Sequence, residues 1–314
     1  MKQVKFVIYL FSIALMGSCS EFQEPQLNDE SVEVLTPRDS LRTSIATQQF
    51  LWYELDDAID YELQIVSPSF AQIDRLIIDT IITRNKFLIT LTPGEYQWSI
   101  RAFNYSSASP YTVHTLFIDS TINLSTQTLQ LLSPKDFDTS NNSTQVFNWQ
   151  KIYNAKEYSF EIWSPTESGT LIFQAVQEED SLRMVNLEEG AYVWKVRAQN
   201  DLTNSVFSKR SLFIDTTSPN LPNLLEPDSN AVISDYRIDF KWNRAGLNNG
   251  AEIMDSLYIS QNSSFSSLYR AFRTKDNLVV VDSLPLGSYF WRVKSFDAAG
   301  NESTFTASRK LTVN

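Results

Sequence analysis

Three prolines, Pro37, Pro134 and Pro227, each stand fifteen residues before a tryptophan: Trp52, Trp149 and Trp242. A second tryptophan follows in each stretch, at Trp98, Trp194 and Trp291, four residues after a glycine and two after a tyrosine. The strings are Gly94-Glu95-Tyr96-Gln97-Trp98, Gly190-Ala191-Tyr192-Val193-Trp194 and Gly287-Ser288-Tyr289-Phe290-Trp291. A basic residue lies three beyond each, at Arg101, Arg197 and Lys294, and Phe117, Phe213 and Leu311 are read as closing the units. So many fixed offsets in three copies define an internal repeat. Its period of about 90 residues is that of a folding domain, not of a solenoid.

The repeats read as strand. Tyr96, Trp98, Ile100 and Ala102 alternate with Gln97, Ser99 and Arg101, and Tyr192-Trp194-Val196-Ala198 and Tyr289-Trp291-Val293-Ser295 keep the same phase. That is the period of a half-buried strand. Tyr61-Leu63-Ile65 and Tyr158-Phe160-Ile162 supply a neighbouring strand, and Pro, Asn, Ser and Gly clusters such as Ser140 to Ser143 mark turns. No segment after Cys19 shows helical periodicity. Short strands separated by turn signals predict an all-β chain of β-sandwiches.

These residues resemble tandem fibronectin type III domains of the bacterial exported kind. The early proline, the tryptophan on the second strand and the run Leu187 to Ala198 carry the resemblance, which spans about Val34 to Asn314. It implies three immunoglobulin-like β-sandwiches over residues 34–119, 129–215 and 222–314. Asp215-Thr216-Thr217-Ser218-Pro219 looks like a linker between such modules, and Asp297 to Ser303 is similar to a loop of bacterial immunoglobulin-like modules. Linkers near Ser120–Thr128 and Thr216–Pro222 are expected to bend. The resemblance fixes a fold and leaves the activity open.

The amino terminus sets an address. Met1-Lys2-Gln3-Val4-Lys5 is followed by an apolar run from Phe6 to Met16 and by Gly17-Ser18-Cys19. A basic start, an apolar stretch and small residues describe a secretory signal. The run falls short of the roughly 20 apolar residues of a membrane span. Leu15 to Cys19 resembles the lipobox of bacterial lipoproteins, which implies removal of residues 1–18 and a diacylglyceryl group, the family's palmitate-type anchor, on Cys19. The alternative is an ordinary signal peptide with a chance cysteine. Ser20 after the cysteine fits outer-membrane sorting in that family, and Glu21 and Glu24 resemble the acidic export tags of Bacteroidetes surface lipoproteins. Residues 19–33 then form a flexible tether, at most about 45–50 Å when extended.

Composition narrows the functions. Cys19 is the only cysteine, so no internal disulfide forms and each domain relies on its apolar core. The hydrophobic fraction of 42% and aromatic fraction of 13% are enough to build such cores. A net charge of −11 disfavours nucleic acid and anionic membrane surfaces as partners. His114, the sole histidine, lies on the strand-like run Tyr111 to Leu116, so no His-rich metal site exists. A Ser-His-Asp triad through His114 is not excluded by spacing, but no Gly-x-Ser-x-Gly elbow is present. No phosphate-cradling glycine loop appears, and the carboxylate runs Glu178-Glu179-Asp180 and Glu188-Glu189 read as solvated turns. The expectation is a non-enzymatic chain without cofactor or metal.

Six of the seven tryptophans hold repeated positions and are assigned to cores. Burying about 150–250 Å² each is worth roughly 4–6 kcal/mol as an upper bound. Trp163 has no counterpart in the other repeats; exposed, it would stack on a sugar ring or anchor a partner. Residues Gly246 to Glu252 enlarge a loop of the third repeat, either a recognition feature or a tolerated insertion. Asp followed by Ser or Thr recurs at Ser40, Thr80, Ser120, Ser181, Thr216, Ser256 and Ser283. The pattern is similar to the O-glycosylation signal of Bacteroidetes envelope proteins, and it is equally good turn chemistry. The expected protein is an outer-membrane lipoprotein, held by the lipid on Cys19. It would present a rod of modules to an unknown envelope protein, or serve as a glycan-binding accessory of a carbohydrate uptake system.

Overall fold

A computed structural model describes residues 25–244 and 252–314. Cys19, residues 1–18, the first part of the expected tether and the loop insertion up to Ala251 lie outside the described residues. The first repeat forms β1 (Val34–Thr36), β2 (Leu41–Thr43), β3 (Thr47–Trp52), β4 (Asp60–Ser69), β5 (Gln72–Ile82), β6 (Lys86–Thr90), β7 (Gly94–Phe103) and β8 (Thr112–Ile118). The second forms β9 (Leu131–Ser133), β10 (Asp138–Ser140), β11 (Gln145–Trp149), β12 (Glu157–Ser164), β13 (Thr170–Gln177), β14 (Ser181–Met184), β15 (Gly190–Gln199) and β16 (Ser208–Ile214). The third forms β17 (Asn223–Glu226), β18 (Ala231–Ile233), β19 (Arg237–Asn243), β20 (Met254–Ser260), β21 (Leu268–Thr274), β22 (Leu278–Asp282), β23 (Gly287–Phe296) and β24 (Arg309–Val313).

Each repeat builds the same pair of sheets. A three-stranded sheet runs β1-β3-β6, β9-β11-β14 or β17-β19-β22, and a five-stranded sheet runs β2-β8-β7-β4-β5, β10-β16-β15-β12-β13 or β18-β24-β23-β20-β21. Apart from the parallel pairs β10–β16 and β18–β24, the pairings with a determined register are antiparallel. Three tandem β-sandwiches are therefore present, as the repeat predicted. By backbone contacts the chain divides into two compact units, one within Met1–Arg42, Gln49–Phe87 and Gly94–Phe117, the other within Thr43–Gln48, Leu88–Pro93 and Ile118–Asn314.

Alternation dictates what lies inside. On β15, Tyr192, Trp194, Val196 and Ala198 are buried while the residues between them are half-exposed. All six repeated tryptophans are at most 1% exposed. The phenylalanine two residues before the first tryptophan meets the second one edge-on in every repeat. Ring centroids lie 4.8 Å apart for Phe50–Trp98, 5.1 Å for Phe147–Trp194 and 5.2 Å for Phe240–Trp291. Such pairs add about 0.5–1.5 kcal/mol beyond area burial. The repeated proline follows a cis peptide bond in all three copies.

The loop after the second tryptophan strand is clasped the same way three times. Ser109 and Ser205, eleven residues past Trp98 and Trp194, each accept the buried backbone N–H of Ala102 or Ala198 on the hydroxyl, at 3.0 and 2.9 Å. Ser303, twelve past Trp291, does this for Ser295 at 3.0 Å. A side-chain amide in the same loop donates to the strand entering the sandwich: Asn104 to Pro25 O, Asn200 to Ile122 O and Asn301 to Asp215 O, at 2.9, 2.9 and 2.7 Å. The three acceptors stand twelve residues before Pro37, Pro134 and Pro227.

This last contact corrects the expected boundaries. Leu27 and Val32, assigned to the flexible tether, are buried against the first sandwich, and Thr112 donates to Val32 O at 2.9 Å. Leu27 and Val32 therefore pin the stretch 25–33, whose other residues are exposed, to the first sandwich. Leu124, assigned to a bending linker, is fully buried in the core of the second sandwich. Gln127, in the same stretch, is 1% exposed. Its amide accepts from Ala46 N at 2.8 Å and donates to Ser44 O at 2.6 Å. Burying these apolar side chains outweighs the chain entropy that a free linker would keep.

Two of the three closing residues, Phe117 and Phe213, are also corrected by one position, while Leu311 lies in the core as expected. Leu116, Leu212 and Leu311 fill the cores, while Phe117 is half-buried beneath Arg42, 4.6 Å from its guanidinium, and Phe213 is exposed. The turn before them shows one local conflict. Ser40, Phe137 and Asn230 occupy equivalent positions with φ of 59°, 57° and 65°. Ser and Asn are small or polar enough to suit the left-handed region, whereas the bulky Phe137 is strained there and stands exposed.

Candidate functional site

The side of each five-stranded sheet that faces away from the core carries the chain's exposed chemistry. Residues alternating with the buried tryptophan row point outward from β7, β15 and β23. The basic residues three past each tryptophan fall in this row. A ring two residues after the clasping serine packs against them: Tyr111, Phe207 and Phe305. Arg101 lies 4.5 Å from Tyr111, Lys195 and Arg197 lie 4.5 and 4.8 Å from Phe207, and Arg292 and Lys294 lie 3.6 and 5.1 Å from Phe305. Carboxylates complete the row, with Glu62 on Arg101 (2.6 Å), Glu161 on Lys195 (3.0 Å) and Glu302 on Lys294. Each cation–ring contact at such a site is worth about 0.5–1 kcal/mol. The Ser-x-aromatic signal, Ser109-Pro110-Tyr111, Ser205-Val206-Phe207 and Ser303-Thr304-Phe305, was present in the sequence and went unread.

Trp163 belongs to this arrangement. It sits on β12 opposite Val193, half-buried, and its indole N–H donates to Glu161 at 2.8 Å. The Lys195 ammonium lies 5.0 Å from its ring. The polar edge is thus engaged by Glu161 and one ring face is approached by Lys195. Trp163 is a rung of the second repeat's outer face.

His114 has a structural counterpart in each other repeat. It stands two residues before Leu116, as Arg210 and Arg309 stand before Leu212 and Leu311. Arg210 donates to Leu132 O at 3.1 Å and to Pro134 O at 2.7 Å; Arg309 donates to Leu225 O at 2.7 Å and to Pro227 O at 3.1 Å. His114 Nδ1 lies 3.3 Å from Pro37 O, and the ring packs edge-on at 5.3 Å against buried Trp98. The histidine holds the proline turn in place. Beside it, the N–H of Thr115 donates to Asp39 at 2.8 Å and holds that carboxyl below its ordinary value. Glu178, Glu179, Asp180, Glu188 and Glu189 are solvent-exposed, and Glu189 accepts the Thr217 hydroxyl at 2.7 Å. Among the described residues no group of three or more His, Cys, Asp or Glu converges to hold a metal ion.

The Asp-Ser/Thr positions separate. Ser40, Ser120, Ser181, Thr216 and Ser283 are exposed and Thr80 on β5 is half-buried. Ser256 is 8% exposed on β20, next to Asp255, which is fully buried. A nearly buried hydroxyl in the middle of a strand is the least accessible of the seven, so Ser256 is set apart from the other positions. The acid is the third repeat's main departure. By register, Asp255 takes the place of Tyr61 and Tyr158, whose hydroxyls accept the N–H of Leu55 and Ile152 at 2.8 and 3.1 Å. Asp255 accepts the Trp242 indole N–H, Arg244 Nε at 2.9 Å and the Ser295 hydroxyl.

The chain matches no protein-family model and no curated protein. Among solved structures it is similar to the FN1–FN3 domains of chicken CNTN1, at 14% identity and a TM-score of 0.44, over 90% of this chain and 97% of that one. It is also similar to the fibronectin(III)-like modules of CbhA from Clostridium thermocellum, at 14% identity and a TM-score of 0.42, over 59% of this chain and 94% of that one. The fold assignment rests on the strand order described above.

Proposed function

We propose that the chain is a non-enzymatic envelope lipoprotein, anchored through a lipid on Cys19, that presents fibronectin-like sandwiches for protein interaction or adhesion. One observation carries the interaction role. The three repeats share most of their buried rows, Asp255 being the main exception, and at solvent-facing positions such as Trp163, Phe137 and Arg273 each carries a side chain without an equivalent in the other two. Solvent-facing side chains that differ from module to module on a shared scaffold are the pattern of recognition surfaces. The alternative, a glycan-binding accessory, would use Trp163, which is half-buried with its indole N–H on Glu161 and Lys195 5.0 Å from its ring. Ser40, Thr80, Ser120, Ser181, Thr216 and Ser283 remain proposed O-glycosylation positions.

The anchor rests on the Met1–Cys19 pattern alone and is tested by substitution. Cys19→Ala is expected to move the protein from the membrane pellet to the soluble fraction, because the acyl chains supply the membrane affinity. Continued partitioning of the mutant through a detergent-extractable acyl anchor would show that the lipid is not on Cys19.

A further inference from the structure

We propose that a cavity on the outer face of the third sandwich binds an acidic sugar, taking its carboxylate on Arg273. The cavity measures about 550 Å³, within the usual range of small-ligand sites. Register places Arg273, Ser256 and Lys294 side by side across β21, β20 and β23, since Ser256 pairs with both of the others. Directly opposed residues stand about 4.5–5.5 Å apart on one face. The row therefore reads cation, hydroxyl, cation, and all three line the cavity with Tyr258.

The charges around it single out Arg273. Lys294 is paired with Glu302. Asp297 is turned inward, accepting the Asn301 N–H at 2.9 Å and its side-chain amide at 3.0 Å. Arg273 has no acidic partner and no hydrogen-bond acceptor among the described residues. Its guanidinium lies 3.9 Å over the Phe296 ring, and the residue is solvent-exposed. A planar donor fork of this kind matches a carboxylate in two parallel hydrogen bonds. In a chain of net charge −11, an arginine without an acidic partner at a cavity is a local attractor for anions.

The rest of the lining selects a sugar. Of the two rings that line the cavity, Phe296 carries the Arg273 guanidinium and Tyr258 packs edge-on against Phe305, with centroids 5.2 Å apart. The other polar groups lining the cavity belong to Ser256, Tyr258, the Ala298–Gly300 turn and the Lys294–Glu302 pair. Donors and acceptors interspersed in this way suit a polyhydroxylated ring beside the carboxylate. A single acidic peptide side chain offers only the carboxylate and leaves the other groups to water.

The test is calorimetric titration of the full chain with trigalacturonate, with neutral galactotriose and with a Glu-Glu-Glu peptide. Trigalacturonate is expected to bind saturably and at least about tenfold more tightly than galactotriose, the scale of a charge-assisted pair. Arg273→Gln is expected to lose about tenfold. Arg273→Lys should recover only part of that loss, because an ammonium keeps the charge without the fork. Arg273 is exposed, so both variants should unfold with the wild-type midpoint. Absence of saturable binding, equal affinity for galactotriose, unchanged affinity in Arg273→Gln, or tighter binding of the glutamate peptide would each overturn the proposal.

Discussion

Replacing Asp255 by alanine is expected to destabilise the third sandwich by about 3–5 kcal/mol, the cost of removing one partner of a buried charged cluster. The carboxylate holds three donors: the Trp242 indole, Arg244 and the Ser295 hydroxyl. Without it, Arg244 keeps a half-buried charge whose remaining acceptors are the carbonyls of Lys275 and Asp276. Asp255→Asn keeps the volume and one acceptor, so it should cost less. Urea unfolding gives the magnitude, and limited proteolysis gives the location. Early cleavage within 222–314 is expected in Asp255→Ala, and a wild-type cleavage pattern would show that the cluster contributes little. The other two repeats solve the same position with a tyrosine whose hydroxyl meets a backbone N–H, a neutral solution with no charge to strand.

The second large effect concerns packing. Trp194→Ala is expected to cost about 3–5 kcal/mol, the range for deleting a buried tryptophan. Trp194 is fully buried between Phe147, 5.1 Å away, and Phe160, 6.2 Å away. Trp163→Ala, on the opposite face of the same sheet, should cost no more than about 1 kcal/mol, because it loses a half-exposed ring and a surface hydrogen bond. The comparison separates inward from outward tryptophans in one sandwich. Equal losses from the two substitutions would mean that the outer face is part of the core.

The repeat was legible because its strongest signals are buried aromatic residues at fixed offsets, and alternation on a ten-residue strand leaves only one phase that buries Trp194. Where the local pattern was ambiguous, the reading slipped. Leu116-Phe117 and Leu212-Phe213 offer two adjacent apolar residues on shorter strands, and only the register to β7 and β15 decides between them. That slip hid the equivalence of His114 with Arg210 and Arg309, which counting back from the correct leucine reveals. Leu27 and Leu124 looked like linker residues because each is a lone apolar side chain among polar neighbours. Their burial depends on the side-chain amides of Asn104 and Asn200, which hold the entering strand from about eighty residues away. Asp255 was invisible for another reason. An acid in an Asp-Ser string reads as a turn, and its burial follows from Trp242, Arg244 and Ser295 converging in space. The Arg273–Ser256–Lys294 row likewise exists only once three strands are in register.

The account makes the outward faces, displayed from a membrane anchor, the working part of the molecule. Quantitative affinity capture from intact cells, with a tagged full-length chain and its Cys19→Ala variant, tests this most directly. The account predicts that one envelope protein is recovered in near-stoichiometric amount with the wild type and is depleted with the variant. Recovery of no such protein, with binding seen only on a glycan array, would contradict the interaction role and put the carbohydrate reading in its place.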